Sequence, residues 1–306
     1  MRRFLLWLAG NRWFADRIPK TRFAQRAVRR FMPGEEMTAA LAAGEAFRTE
    51  GIGTLYTRLG ENVDDRAAAA AVADHYVGLL EEIGRRGIDG EISVKLTQLG
   101  LDLDDDLAFE HAVRLADAAA RTGGELWIDM EGSAYTERTI AIYERLRRAH
   151  PNVGICLQAY LRRSADDVQR LLPLGPSVRL VKGAYAEKGS VAWRDRRAVD
   201  ANYLALCVTL LEAARAGRRV RLGLGTHDTR LIEQVAGHAR ALGLPRSAFE
   251  IQMLYGIRVA DQRRLAREGY RVRDLVAYGP AWYPWYLRRL AERPANVLFA
   301  LRQLLP

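Results

Sequence analysis

Polar side chains of several reactive types follow short apolar runs in this chain of 306 residues. Lys95, Asp129 and Gln158 each end such a run, while Arg179 and Thr226 lie within or directly after two others. A lysine can form a Schiff base or bind a carboxylate, and an arginine can bind an anion through two parallel hydrogen bonds. Glutamine is a neutral hydrogen-bonding group that suits a cofactor ring. Polar groups at the carboxyl ends of buried parallel strands are typical of an enzyme's active-site face.

Two carboxylates lie in the run at 126–131. Asp129 and Glu131 would share one face of an extended strand, with Met130 on the other face. Both carboxylates could contribute to a metal site, but the sequence offers no histidine-rich partner set with ligand spacing. We therefore favour a pairing of Asp129 with Lys95 on the adjacent strand.

Two cations lie in the run at 178–183. Arg179 and Lys182 are followed by Gly183, where the backbone could approach a ligand closely. Two cations at one strand end call for an anion, which could be a phosphate, a carboxylate or an electron-rich ring.

A histidine and an arginine pair each allow two interpretations. His227 follows Gly225 at the end of an apolar run, and it is either a structural histidine or a contact to a phosphate or ring. Arg288 and Arg289 follow an aromatic stretch, and they are either a solvated helix surface or a bidentate clamp for a carboxylate.

The elements that must position these groups alternate between helix and strand. Strand candidates lie at 54–61, 92–98, 125–131, 153–160, 178–183, 219–225, 250–254 and 271–278. Helical patterns separate them, and a polar–aromatic segment at 184–203 precedes a helix at 204–216. Eight such units predict a closed (β/α)8 barrel. The alternative is an open doubly wound sheet, which would need a glycine-rich phosphate turn after its first strand, and that turn is missing after 54–61.

Basic residues outnumber acidic ones by 47 to 37, so the formal net charge is +10. A basic surface favours nucleic acid, an anionic membrane or an anionic ligand, and it does not choose among them. The sequence has no RNA-recognition, zinc-finger or helix-turn-helix signature, so we expect no nucleic-acid partner. Much of the excess is arginine interspersed with acidic residues on helical stretches, which is typical of a solvated face.

Cysteine usage and hydropathy bear on the compartment. Cys156 and Cys207 have apolar neighbours and indicate neither a disulfide framework nor a zinc site, which favours a reducing compartment. No apolar run approaches the roughly 20 residues of a membrane-spanning helix. Residues 1–35 are rich in arginine and aromatics, and they predict either a helical arm over the core or an amphipathic helix on an anionic membrane. We expect a cytoplasmic protein, and we leave a peripheral contact with the inner face of the cell membrane open.

Several ordered motifs together resemble bacterial proline dehydrogenases. They read RLVKGAY at 179–185, GTHD at 225–228, FEIQMLYG at 249–256 and YPWYLRR at 283–289. The similarity runs from about residue 36 to the end of the chain. It implies a distorted (β/α)8 barrel over 36–306 that binds FAD non-covalently and has a C-terminal helix over the active site. The chain has no room for the aldehyde dehydrogenase domain of the bifunctional relatives, so the monofunctional type is expected.

The resemblance also implies a reaction. L-proline would be oxidised to Δ1-pyrroline-5-carboxylate by hydride transfer to flavin N5, which is the first step of proline catabolism to glutamate. A membrane quinone, either ubiquinone or menaquinone, would then accept the electrons. The first 35 residues match the family least well, so no role is transferred to them.

Substrate contacts are carried over residue by residue. Arg288 and Arg289 would grip the proline carboxylate with Lys95 as a third cation. Asp129 would hydrogen-bond Lys95 and fix its position. Tyr278 would form an aromatic wall over the proline ring. Glu61 would pair with Arg288 as a gate.

The flavin contacts are implied in the same way. Arg179 would lie near flavin N5 and favour negative charge on the reduced ring, so it joins Asp129 as a catalytic expectation. Residues 185–203 would form an extra helix over the ribityl chain. The positions that match flavin-binding residues of the family are Met130, Gln158, Arg179, Lys182, Gly183, Ala184, Thr226 and His227.

Two other functions remain open from the residues alone. One is an aldolase-type barrel that forms a Schiff base through Lys95. The other is a non-enzymatic barrel that binds a membrane or nucleic acid through its basic surface.

Overall fold

The computed structural model describes residues 28–283 and 285–287, and its core is a closed barrel of eight parallel strands. The strands pair in chain order, and β8 closes the barrel on β1. The predicted (β/α)8 fold is therefore confirmed. The strands are β1 Gly53–Arg58, β2 Gly90–Val94, β3 Leu126–Ile128, β4 Val153–Gln158, β5 Ser177–Val181, β6 Arg221–Gly225, β7 Phe249–Leu254 and β8 Arg271–Tyr278.

One helix precedes the barrel, and helices also connect successive strands. The helices are α1 Met37–Arg48, α2 Arg66–Arg86, α3 Asp105–Arg121, α4 Thr136–Ala149, α5 Ser164–Leu171, α6 Arg196–Arg215, α7 Thr229–Ala241 and α8 Val259–Arg267. Aspartates begin several of them because their side chains accept from otherwise unpaired backbone N–H groups. Asp65, for example, accepts from the amide of Ala68 at 2.8 Å.

Several predicted boundaries are wrong. The first and third strands end at Arg58 and Ile128 rather than at residues 61 and 131. The second strand ends at Val94 rather than at residue 98, because Leu96–Leu99 turns into a 3-10 helix. The helix expected at 204–216 begins at Arg196 instead, because the Asp195 side chain caps it by accepting from the amide of Ala198 at 3.0 Å. The extra helix expected over 185–203 is wrong for its first part, since residues 185–195 contain only irregular structure, turns and a short bridge, whereas 196–203 form the start of α6.

The barrel interior contains an aromatic ring between two cations. Trp127 on β3 lies with its ring centroid 5.5 Å from the guanidinium of Arg179 and 5.1 Å from that of Arg221. Gly154 on β4 leaves room for this ring, since a Cβ there would meet Trp127 at 2.6 Å. Arg179 lies towards the carboxyl ends of the strands and Arg221 at their amino ends, so the ring separates the two ends of the barrel.

A network of buried charges closes the amino end of the barrel. Arg221 forms ion pairs with Glu91, Glu125 and Glu250. Arg273 pairs with Glu250 at 3.1 Å and with Asp89 at 2.7 Å. In barrels of this kind the amino-terminal face contributes to stability rather than to chemistry.

The strands β1 and β2 separate at their carboxyl ends. The hydroxyl of Tyr76 lies between them, accepting from the amide of Arg58 at 2.8 Å and donating to the carbonyl of Ser93 at 3.3 Å. The side chain of Gln98 donates to the carbonyl of Arg58 at 2.8 Å. Side chains thus replace ladder hydrogen bonds here, which opens this end of the barrel between β1 and β2.

Residues near both ends of the described range meet beside the barrel. Trp282 donates to the Glu35 carboxylate at 2.8 Å, and the Phe31 and Tyr286 rings lie 5.8 Å apart. Residues 1–27, which hold most of the predicted N-terminal arm, lie outside the described residues. Within the described part of the chain, no helix is both long and apolar enough to span a bilayer.

Candidate active site

An ion pair between a buried arginine and a partly buried aspartate lies at the carboxyl-terminal end of the barrel. Arg179 on β5 pairs with Asp129, which directly follows β3. Ser93 on β2 donates to the Asp129 carboxylate at 2.9 Å and accepts from Arg179 at 2.8 Å. Arg179 also lies 3.4 Å from the Gln252 side chain on β7. Four strands therefore fix the guanidinium of Arg179 in one orientation.

The expected hydrogen bond between Lys95 and Asp129 is replaced by other contacts. The Asp129 carboxylate pairs with Arg179, while the Lys95 ammonium donates to the carbonyl of Gly60 at 3.4 Å. The backbone amide of Lys95 donates to the Gln98 side chain at 3.3 Å. The physical reason is the stagger of the strands, which brings Asp129 against Ser93 on β2 and Arg179 on β5 rather than against Lys95.

Glu131 is a buried carboxyl group to which the sequence argument gave no role. It accepts from the backbone amide of Thr97 at 3.2 Å and from the Thr97 hydroxyl at 2.7 Å. Burial raises the pKa of Glu131 to about 7, against the lowering effect of these hydrogen bonds. Its spacing from Asp129 was the available signal, but the strand ends at Ile128, so the two carboxylates have different partners.

Gln158 and Met130 are both expected to contact the flavin. The Gln158 side chain contacts the segment that holds Met130. Gln158 ends β4 and donates to the backbone carbonyl of Glu131 at 2.8 Å. Both Gln158 and Met130 are buried. The Gln158 amide therefore holds the loop after β3 against β4.

Lys182, Thr226 and His227 follow β5 and β6. The Lys182 ammonium pairs with Asp200 at 2.6 Å and with Asp228 at 3.0 Å. The amide of Asp228 donates to the Thr226 hydroxyl at 3.2 Å. The backbone amide of Leu254 donates to His227 at 3.4 Å. These contacts bring the loops after β5, β6 and β7 to one side of the barrel mouth.

Gly183 has a backbone conformation that a side chain would disturb. Its φ is +119°, and a Cβ there would lie 2.2 Å from the Tyr160 ring. The ring thus fills the space beside the turn, and the following residue, Ala184, is exposed.

The expected role of Tyr278 as a wall over the substrate does not fit its position. On β8 Arg273 contacts Glu250 inside the barrel, whereas Asp274 contacts Gln262 of α8 outside it. Alternation along the strand therefore gives Tyr278 the outward face. Its hydroxyl lies 2.8 Å from the His75 ring on α2. Leu275 has the inward face instead, so we withdraw Tyr278 from the substrate contacts.

The predicted carboxylate clamp and the predicted gate both depend on Arg288. Arg288 and Arg289 lie outside the described residues, and they stay predictions. Glu61 follows β1 near its carboxyl end and is half-buried. Its expected pairing with Arg288 is likewise a prediction.

The donor set at the ends of β4, β5 and β6 fits a flavin nucleotide. Two cations, an amide, a hydroxyl and an imidazole line one side of the mouth, and Gly183 lets the backbone turn there. Cations and hydroxyls suit a pyrophosphate, while an amide and a guanidinium suit the polar edge of a ring. Among the described residues, no cluster of His, Cys, Asp or Glu could hold a metal ion.

Sequence comparisons identify the family of this chain. The family model described as proline dehydrogenase matches residues 40–302. Proline dehydrogenase 1 of Bacillus subtilis is 34% identical over 309 residues, which cover 100% of this chain and 99% of the relative. The proline dehydrogenase of Deinococcus radiodurans is 37% identical over 281 residues, which cover 90% of this chain and 89% of the relative.

Solved structures share the barrel. Proline utilization A from Bdellovibrio bacteriovorus superposes with a TM-score of 0.80 at 23% identity, covering 88% of this chain and 33% of the other. Proline utilization A from Bradyrhizobium japonicum gives a TM-score of 0.75 at 22% identity, covering 92% of this chain and 32% of the other. These two structures show the fold alone, whereas the family model and the curated relatives show that this enzyme belongs to the proline dehydrogenase family of oxidoreductases.

Proposed function

We propose that the enzyme oxidises L-proline to Δ1-pyrroline-5-carboxylate with non-covalently bound FAD and passes the electrons to a membrane quinone, ubiquinone or menaquinone. The observation that carries this proposal is the Arg179–Asp129 pair at the carboxyl ends of the strands, with Lys95 following β2 at the same end. When bound, FAD would accept a hydride from the substrate carbon at its N5. The reaction would be the first step of proline catabolism to glutamate.

Cations on the substrate side would bind the carboxylate. Lys95 supplies one of them, and Arg288 with Arg289 would supply the others. Like charges lower the pKa of an amine, so these cations would favour the neutral amine of proline, and no strong general base would be needed. Glu61 would close this side by pairing with Arg288.

The opposite side of the mouth would hold the cofactor. Arg179 keeps one orientation through Asp129 and Ser93, so its guanidinium is preorganised for negative charge on a ring above it. The remaining contacts would come from Met130, Gln158, Lys182, Gly183, Ala184, Thr226 and His227.

Absorbance of the purified protein tests this proposal against the Schiff-base alternative. Bound oxidised flavin makes the protein yellow, and L-proline added without an acceptor should bleach it. A colourless protein whose Lys95 is trapped by borohydride with a carbonyl substrate would overturn the proposal.

The cellular setting forms a separate part of the proposal. We infer a cytoplasmic enzyme with a barrel domain over 36–306 and an N-terminal helical arm over 1–35, which could meet the membrane peripherally at its inner face. Co-sedimentation with anionic vesicles containing quinone should be lost in a variant without the first 27 residues. Equal sedimentation of both proteins would remove the arm from this role.

A further inference from the structure

Glu131 is the buried titratable group at the site that the proposed reaction does not use. Its residue exposure is 3%, and its backbone carbonyl accepts from Gln158 at 2.8 Å. Its carboxyl group accepts from both the amide and the hydroxyl of Thr97. The group is thus held in place by neighbours on two elements.

Thr97 belongs to the turn that carries Lys95. This turn, Leu96–Leu99, begins directly after Lys95. Gln98 in the same turn accepts from the amide of Lys95 at 3.3 Å and donates to the carbonyl of Arg58 at 2.8 Å. Glu131 therefore fastens the turn from the β3 side while Gln98 fastens it from the β1 side. A change at Glu131 acts directly on the turn that positions Lys95.

The charged groups that face Glu131 come from the three neighbouring strand ends. Lys95 after β2 lowers the pKa of Glu131, and Glu61 after β1 raises it. Tyr135 before α4 also interacts with Glu131, and its hydroxyl donates to Asp102 at 2.8 Å. Asp129 is bound to Arg179 and Ser93 and does not share these contacts.

We propose that Glu131 is a positioning residue whose charge controls how strongly Lys95 binds the substrate carboxylate. Protonated Glu131 holds the turn and leaves the positive charge of Lys95 to the substrate. Ionised Glu131 competes for that charge and weakens carboxylate binding. This inference rests on the proposed role of Lys95 as a substrate cation.

The transition between these two states falls in the neutral range. Burial raises the pKa of Glu131 to about 7, so a rise in pH through that value ionises the group. Carboxylate binding should therefore weaken as pH rises. If the pKa of Glu131 were lowered instead, the carboxyl group would already be ionised at neutral pH, and carboxylate binding would show no transition there.

A cyclic carboxylate that lacks an amine separates the titration of Glu131 from the titration of the substrate amine. Cyclopentanecarboxylate stays ionised above about pH 6, because ordinary carboxyl groups have a pKa near 4. Its Kd for the holoenzyme is read from the perturbed flavin absorbance between about pH 6 and pH 9. We expect the Kd of the wild-type enzyme to rise roughly tenfold across this range. In Glu131→Gln the Kd should stay low and show no transition.

Two further variants make the result specific. Thr97→Val removes one hydrogen bond that favours ionised Glu131, so the midpoint of the transition should move to higher pH. Glu81→Gln on α2 makes the same charge change at an exposed position and should keep the wild-type profile.

A wild-type Kd that does not change with pH, or a Glu131→Gln variant that keeps the transition, would overturn the inference. If Glu131→Gln does not fold, an unchanged midpoint in Thr97→Val overturns it instead. Bleaching of the flavin by L-proline, measured at one pH, reports on the proposed function separately.

Discussion

Asp129 is paired with Arg179 rather than with Lys95, which changes the expected effect of substituting Asp129. Asp129→Ala removes the partner of the buried Arg179 guanidinium, so we expect it to lower the free energy of unfolding by about 3–5 kcal/mol. Its effect on kcat/KM for proline should overlap strongly with that of Arg179→Met. The two changes together should therefore cost about 1–3 kcal/mol less than their sum.

The control is a double-mutant cycle between Asp129 and Lys95. Asp129→Ala and Lys95→Met should have nearly additive effects on kcat/KM, because the two side chains bind different partners. Strong coupling between Asp129 and Lys95, with none between Asp129 and Arg179, would restore the pairing expected from the sequence.

Asp274 gives a pH dependence of stability that is independent of the active site. It is fully buried on β8, and Gln262 donates to it at 2.6 Å. Burial, with a contribution from Glu50, raises the pKa of Asp274 from 3.8 to about 8. The folded protein therefore keeps a proton that the unfolded chain releases, and the free energy of unfolding falls as pH rises between these two values.

Asp274→Asn should remove this dependence while keeping the contact with Gln262. In urea unfolding the variant should gain stability over the wild type progressively from about pH 4 to pH 8, with a constant difference above that. Asp166→Asn makes the same charge change at an exposed position and serves as the control. A difference that shrinks with rising pH would show that the Asp274 carboxyl is ionised in the folded protein.

Among the elements, the turn after β5 depends on a glycine. Gly183→Ala would place a Cβ 2.2 Å from the Tyr160 ring at a φ of +119°. We expect the free energy of unfolding to fall by about 2–4 kcal/mol, since a steric clash adds to backbone strain. The FAD content of the purified variant should fall as well, because the displaced turn carries Lys182 and Ala184.

Gly217→Ala is the matched control for backbone strain. Gly217 also has a positive φ, +81°, but a Cβ there would meet no atom within 4 Å. Its cost should be about 1 kcal/mol, with normal FAD content. Equal losses in both variants would mean that strain alone, and not the Tyr160 ring, makes glycine necessary at 183.

In the whole molecule, the buried charge network and the candidate active site lie at opposite ends of the barrel. Arg221→Met would leave Glu91, Glu125 and Glu250 buried without their shared cation. We expect the free energy of unfolding to fall by about 3–5 kcal/mol, while the KM for proline stays close to the wild-type value.

Arg218→Met removes the same charge from an exposed position and should change neither quantity. Thermal unfolding and steady-state kinetics below the melting temperature separate the two effects. A raised KM in Arg221→Met without loss of stability would place the amino-end network in the catalytic machinery.

Local features of the sequence were enough to predict the fold class, and they also assign the candidate site residues to one end of the barrel. Apolar runs separated by helical patterns are local features, and the carboxyl ends of parallel strands must meet at one face. Lys95, Asp129, Arg179 and Thr226 could therefore be assigned to one end of the barrel before any contact was known. The motifs also identified the family correctly.

The contacts among these groups could not be predicted from the sequence. The pairing of Asp129 with Arg179 depends on the stagger of the strands. Tyr278 has the outward face because β8 fixes the alternation from Arg273 onward. Glu131 is buried because β3 ends at Ile128 and the chain turns towards Thr97. The stagger of the strands, the face on which a side chain lies and its burial all depend on residues that are distant in the chain. A local sequence pattern does not contain this information.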